Sequence, residues 1–196
     1  MIRILVFLLS FTLVIYGQTK QVIAQEPTAA IAKPIDFNSA YEQFFKAVAR
    51  ADYKVFNQYI HPEKGLFVIE SSPNGPVPVN VEDISNFFRR RDSKPFFSFN
   101  KKTIILKVQK EPLPILDCEQ PSNPWSKEGM FTSEENRLMQ EGFKRKMIVR
   151  ENERKQLEKM IDDIDVTVVN TDNYTWYFSF INMEWFVTFI DIRKHC

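Results

Sequence analysis

Two histidines, two cysteines and a few acids closing apolar runs are what this chain offers for catalysis or metal binding. His61 lies just before the run Leu66-Phe67-Val68-Ile69, where an imidazole with a tuned pKa can serve as general acid or base. The same His61-Pro62-Glu63 also reads as a helix-stop loop, in which the ring caps backbone carbonyls. Glu70 and Asp191 each end an apolar run. Either faces inward as a desolvated acid or outward as a solvated strand terminus. Asp191, His195 and Cys196 are close in sequence, but no second ligand pair is spaced near them, so no metal site is expected. The usual hydrolase and zinc motifs, GxSxG, HExxH and paired CxxC, do not occur. Five glycines leave little room for a phosphate-cradling loop, and no cofactor is expected.

Charge narrows the partners further. The sequence has 26 Lys+Arg against 25 Asp+Glu, a formal charge of +1, which excludes a strongly basic nucleic-acid footprint. Arg89-Arg90-Arg91 invites an anion, but three arginines at a helix end also read as a solvated terminus, with Asp92 offsetting one of them. The segment 133–163 mixes acids and bases at near balance, the pattern of a solvated helix face with i,i+4 pairs.

The address precedes the fold. Met1-Ile2-Arg3 is a short basic start, and residues 4–16 are apolar apart from Ser10 and Thr12. That run is shorter than the roughly 20 residues a membrane-crossing helix needs and fits the core of a secretory signal peptide. Val22-Ile23-Ala24 puts small residues at a cleavage site, so residues 1–24 are expected to be removed, with a cut at Gly17 as the alternative. Removal takes Arg3 and Lys20 from the 26 basic residues, leaving 24 against 25 acidic ones and a formal charge of −1. No later run is long and apolar enough to span a bilayer. The expectation is an exported protein, periplasmic or secreted. In that oxidising setting Cys118 and Cys196 read as one disulfide, tying the last residue to a proline-rich loop. Such a bridge constrains the unfolded chain by about 4–5 kcal/mol in the chain-entropy account.

Residues 25–36 form a flexible leader. Tyr41, Phe44, Phe45 and Val48 then fall at i, i+3, i+4 and i+7, the stripe of an amphipathic helix capped by Asp36 or Asn38. Val55, Phe56 and Tyr59 repeat the spacing after Asp52, so two helices fill about 37–60, stopped by Pro62. Residues 66–69 read as a buried strand and 77–79 as its edge partner, joined by a turn whose Asn74-Gly75 supplies positive φ. Asn80 is expected to cap a helix carrying Ile84, Phe87 and Phe88, ending at the three arginines. Residues 103–108 are β-branched and strand-like. Residues 111–130 read as a loop, and 133–163 as helical, most clearly at Leu157, Met160, Ile161 and Ile164. The period then switches to two. Val166 and Val168 begin the closing strands, and residues 174–181 and 185–192 form an aromatic-rich hairpin turning at Asn182-Met183-Glu184.

That hairpin concentrates part of an unusual content of 18 Phe, 6 Tyr and 3 Trp. Strict alternation puts Tyr174, Trp176, Phe178 and Phe180 on one face of the first strand, with Thr175, Tyr177, Ser179 and Ile181 behind them. In the second strand it puts Trp185, Val187, Phe189 and Asp191 opposite Phe186, Thr188, Ile190 and Ile192. One face must pack on the helices. The other is either covered by the intervening chain, a pocket lining, or an interface, including one between two copies in a homodimer.

The order helix, helix, strand, strand, helix, strand, insert, closing strands resembles the NTF2-like (cystatin-like) α+β fold, a cone of curved antiparallel sheet wrapped on N-terminal helices. The passage YIHPEKGLFVI (59–69) is similar to its helix-to-first-strand junction, and WYFSFINMEWFVTFIDI (176–192) to its last hairpin. Residue usage rich in Phe, Ile, Lys and Asn also resembles small exported proteins of Bacteroidetes-type bacteria that have no assigned function. The resemblance implies one NTF2-like domain over 37–196, with a helical insertion at about 111–163 before the last strands. It allows two functions. One is a non-catalytic binding module for a small apolar ligand or a protein partner, using Tyr174, Trp176, Phe178, Phe180 and Trp185. The other is an isomerase, dehydratase or hydrolase-type enzyme with a cone-buried acid or base, for which His61 is the candidate.

Overall fold

The computed structural model describes residues 36–120 and 124–193. The expected signal peptide, the leader up to residue 35, His195 and Cys196 lie outside the described residues. Helix α1 (Phe37–Arg50) forms where the apolar stripe predicts it, and Tyr41, Phe44, Phe45 and Val48 are all buried. The Asp36 carboxylate accepts the Ser39 N–H at 3.1 Å and so satisfies one of the helix's free amides. Ala51, left-handed at φ 54°, closes it. Asp52 then accepts the Val55 N–H and starts the short α2 (Tyr53–Asn57).

Six strands follow: β1 (Leu66–Ser72), β2 (Gly75–Val81), β3 (Met130–Ser133), β4 (Val166–Asn170), β5 (Thr175–Ile181) and β6 (Glu184–Asp191). They form one curved, open sheet in the order β2-β1-β6-β5-β4-β3. The chain is α+β, as expected, but the sheet is mixed where an antiparallel one was anticipated. After the β1–β2 hairpin the chain crosses to the far edge and meanders back through β3 to β6, so β6 arrives running parallel to β1, with Val68 opposite Ile190.

Both faces are covered. On one, Phe44 and Phe45 of α1 meet Trp176 edge-on at 5.6 and 5.3 Å, and Phe96 reaches the same indole at 5.8 Å. On the other, α3 (Arg137–Gln140), α4 (Phe143–Lys146) and α5 (Glu151–Asp162) pack Leu138, Phe143, Leu157, Met160 and Ile161 on Phe67, Ile69, Tyr177 and Phe189. The charged segment before the last strands is therefore the second layer of the fold, with its apolar stripe turned to the sheet.

Three local expectations are corrected. Asn80 stays in β2, paired with Phe67, so the helix after it shrinks to one 3₁₀ turn at Ile84–Asn86. Asp83 caps that turn and is held by Asn57 Nδ2 at 2.7 Å. Residues 103–108 make no strand: Ile104, Ile105 and Val108 pack on the core, and the Ile105 carbonyl accepts the Tyr41 hydroxyl at 2.7 Å. In the first hairpin the two turn residues are Pro73 and Asn74, and Gly75 alone takes positive φ, at 135°.

A β-bulge changes the face assignments of β6. Tyr177 pairs with Phe189 while Phe178 pairs with Val187, which leaves Thr188 as the extra residue. Trp185 and Val187 therefore share the α1 side with Ile190 and Ile192, while Phe189 falls with Tyr177 on the α5 side. The bulge is held from within, because Thr188 Oγ1 lies 3.1 Å from Ser179 Oγ and donates to the Tyr177 carbonyl at 3.3 Å.

Candidate functional site

His61 sits in the turn that hands the chain from α2 to β1. It is 7% exposed, and its Nδ1 accepts the N–H groups of Glu63 at 3.1 Å and Lys64 at 3.2 Å. The ring lies 4.7 Å from Phe186. The helix-stop reading thus holds with its polarity reversed: the imidazole caps amides, and the lone pair a base would use at Nδ1 is already engaged. Gly65 closes the turn at φ +72°, where an added Cβ would come within 2.4 Å of Asn80 Oδ1.

Neither strand-end acid is solvated. Asp191 is fully buried on the α5 side and accepts from Arg193 Nε at 2.9 and 3.0 Å. Arg193 continues to Glu141 at 3.5 Å, and Glu141 pairs with Arg137 at 2.9 Å. Burial alone would lower the Arg193 pKa, but its bonds to Asp191 and the Glu141 charge more than offset that and raise it. Tyr177 lies in the same field. Desolvation, then the Asp191 and Glu141 charges, push its phenol well above the ordinary value. Arg137, Glu141, Lys146 and Arg193 also wall an open pocket of about 680 Å³ with residues 113–116. Arg137 and Arg193 pair with Glu141 and Lys146 bonds the Glu141 backbone carbonyl, which makes it an anchoring network for α3 and α4 against the sheet.

Glu70 is the second buried acid, held on the α1 side of β1 beneath the loop that carries the three arginines. That segment is a loop and not a helix end, and of its three arginines Arg90 and Arg91 are solvated while Arg89 is not. Arg89 is 7% exposed, paired with Asp92 through Nε and Nη2, and bonded to the Tyr174 hydroxyl at 3.1 Å.

The five aromatic residues singled out as a binding face divide into two groups. Tyr174, Trp176 and Phe178 are buried in the core between sheet and helices. Phe180 and Trp185 are half-buried at the β5–β6 turn, 5.0 Å apart, and Phe37 meets Trp185 edge-on at 4.9 Å. Together with Pro112, Ile164 and Val166 they line an open groove of about 790 Å³. Lys110, Glu134 and Asp165 supply its polar rim, and Asp165 is fixed by accepting the Phe180 N–H at 2.7 Å. Phe37, Pro112 and the rim residues come from four separate segments, so no local spacing pointed to them.

Cys118 is exposed in the loop between β2 and β3, and its expected partner Cys196 is outside the described residues. Among the described residues no group of three or more His, Cys, Asp or Glu is placed to hold a metal ion, and no helix is long and apolar enough to cross a membrane. Compared with protein-family models, curated proteins and solved structures, the chain matches none of them.

Proposed function

We propose that this chain is an exported, non-catalytic binding module of NTF2-like type that holds a small apolar ligand in the groove of Phe37, Phe180 and Trp185. One observation carries the reading. Along most of the closing hairpin the aromatic side chains are consumed by the core, yet at the turn three rings remain around an open space lined by both apolar and charged groups. The two N-terminal helices, the early hairpin and the closing meander support the NTF2-like assignment by their order, with the helical segment between them as an insertion. Acid–base catalysis has less support, since Asp191 is tied to Arg193 and His61 Nδ1 to two amides. Export and a Cys118–Cys196 disulfide belong to the same proposal.

Native mass spectrometry of the protein purified without denaturation from its source tests this directly. The expected result is a chain cut after Ala24, lighter by two hydrogens, with a mass excess that denaturation removes and that Trp185→Ala abolishes while the melting curve is kept. A bare wild-type chain, or an excess that survives Trp185→Ala, overturns the groove as the ligand site.

A further inference from the structure

A net charge near zero conceals one strongly biased stretch. Residues 88–103 hold six of the 26 Lys+Arg and one of the 25 Asp+Glu, so they carry +5, while the remainder, with 20 bases against 24 acids, carries −4. The fold gathers this stretch around one side chain. The Tyr174 hydroxyl accepts from Arg89 Nη1 at 3.1 Å, and its ring lies 5.7 Å from Phe96 and 4.9 Å from Phe99. The Asn100 carbonyl accepts Asn173 Nδ2 at 3.1 Å. Arg90, Arg91, Lys94, Lys101 and Lys102 are thereby held beside the start of β5, the opposite end of that strand from the aromatic groove.

The loop is built with its cations outward. The Arg89 N–H bonds the Lys94 carbonyl at 3.0 Å, the Ser93 N–H bonds the Arg89 carbonyl at 2.8 Å, and Phe88 bridges to Pro95. Inside this closed turn the buried Arg89 donates to both carboxylate oxygens of Asp92, which uses up the stretch's one acid. Arg90, Arg91 and Lys94 stay exposed, with Arg90 reaching Glu70 at 3.4 Å and Arg91 reaching Asp92 at 3.8 Å. Among the described residues the ammonium groups of Lys94, Lys101 and Lys102 pair with no carboxylate. Even with Glu70 and the nearby Asp172 counted, six bases meet three acids. One ring stands among these charges: Phe88 is 55% exposed, whereas Phe96, Phe97 and Phe99 turn inward to Trp176, Phe56 and Tyr174. A single-stranded nucleic acid is held by several exposed rings on which its bases stack, and a soluble polyanion needs no ring. A lone apolar side chain flanked by cations suits the interface of an anionic bilayer, where the ring enters the headgroup–acyl boundary and the cations meet phosphates.

We propose that residues 88–102 dock this protein on the surface of an anionic phospholipid bilayer, with Phe88 entering the interface and Arg91, Lys94 and Lys102 on headgroup phosphates. The surface is independent of the aromatic groove. Flotation of the protein purified from its source, with variants expressed in the same way, on vesicles of equimolar phosphatidylcholine and phosphatidylglycerol tests it. Phosphatidylcholine vesicles and soluble heparin are the comparisons. Each cation at such a surface contributes about fivefold in affinity, so Arg91→Gln combined with Lys94→Gln should weaken binding by about tenfold or more. Phe88→Ser should weaken it by about threefold or more. Raising salt from about 0.1 M to about 1 M, which shortens the screening length from about 10 Å to about 3 Å, should release the protein. Lys155→Gln makes a single charge change on exposed α5 and should stay within twofold. All four substituted side chains are exposed, so melting curves should match that of the starting protein. No binding to the anionic vesicles, equal binding to phosphatidylcholine alone, or full affinity in the double variant overturns the proposal. So does full affinity in Phe88→Ser, which together with binding to heparin would make the partner a soluble polyanion.

Discussion

Replacing Arg193 by alanine should destabilise this protein far more than a surface arginine would, and the geometry gives the size. Asp191 has no solvent exposure, and Arg193 supplies its side-chain donors at 2.9 and 3.0 Å. Removing one partner of a buried pair leaves an uncompensated charge, which costs about 3–5 kcal/mol. The Arg193 backbone N–H remains 3.0 Å from Asp191 Oδ1, and Glu141 keeps Arg137 at 2.9 Å. These residual contacts place the loss near the lower bound, at about 3 kcal/mol. For a domain of this size that is a fall in Tm of about 6–12 °C. Removing both charges, as in Asp191→Leu with Arg193→Met, should restore stability to within about 1 kcal/mol of the starting protein, because no desolvated charge is left. Urea unfolding at pH 7, followed by tryptophan fluorescence, measures all three proteins. An Arg193→Ala protein within about 0.5 kcal/mol of the original, inside the range of ordinary surface changes, would refute the argument. So would a double variant as unstable as the single one, since the loss would then not come from a stranded carboxylate.

Deleting Thr188 should leave the fold intact, because Val187 followed by Phe189 restores strict alternation with every flanking side chain on its observed face. The cost is the buried Ser179 hydroxyl left without its partner, about 1–3 kcal/mol by denaturant unfolding, and a variant that does not fold would refute the bulge assignment. Alkaline titration should show delayed ionisation of Tyr41, Tyr59, Tyr174 and Tyr177, all raised chiefly by desolvation, with Tyr59 pushed up to about 12. A folded value above the unfolded one means this stability is present below pH 10 and lost as pH rises through the folded value. Absorbance at 295 nm should therefore step up together with unfolding, and four phenols titrating near pH 10 in a still-folded chain would contradict the burial.

What was legible in the sequence was whatever had a local cause. The stripe of Tyr41, Phe44, Phe45 and Val48 with Asp36 before it fixes α1 on its own, and the run through Trp176 to Ile192 fixes a hairpin, because periodicity and caps act within a few residues. The elements that failed are those whose backbone groups are claimed from a distance. Asn80 has the side chain of a helix cap, but its backbone is taken by Phe67 across the β1–β2 ladder. Residues 103–108 have strand composition, yet the Ile105 carbonyl is taken by Tyr41, 64 residues earlier. The parallel pairing of β1 with β6 is of the same kind: it depends on where a crossover lands, which no window of sequence reports.

The candidate sites follow the same rule with a sharper consequence. A strand-end acid looks alike in sequence whether it is solvated or buried, and the choice between these is made by a neighbour. For Asp191 the neighbour is Arg193, two residues on, and the pair is complete. For Glu70 it is a loop twenty residues away that delivers one backbone amide and one guanidinium, Arg90 with Nε at 3.4 Å on a mostly exposed side chain, while Arg89 goes to Asp92 and Tyr174 and Arg91 lies 3.8 Å from Asp92. The two buried acids are thus neutralised differently, Asp191 by a chelating guanidinium two residues on and Glu70 by one backbone amide and a looser ion pair from a loop, and a strand-end acid in the sequence carries no local mark of which it will be.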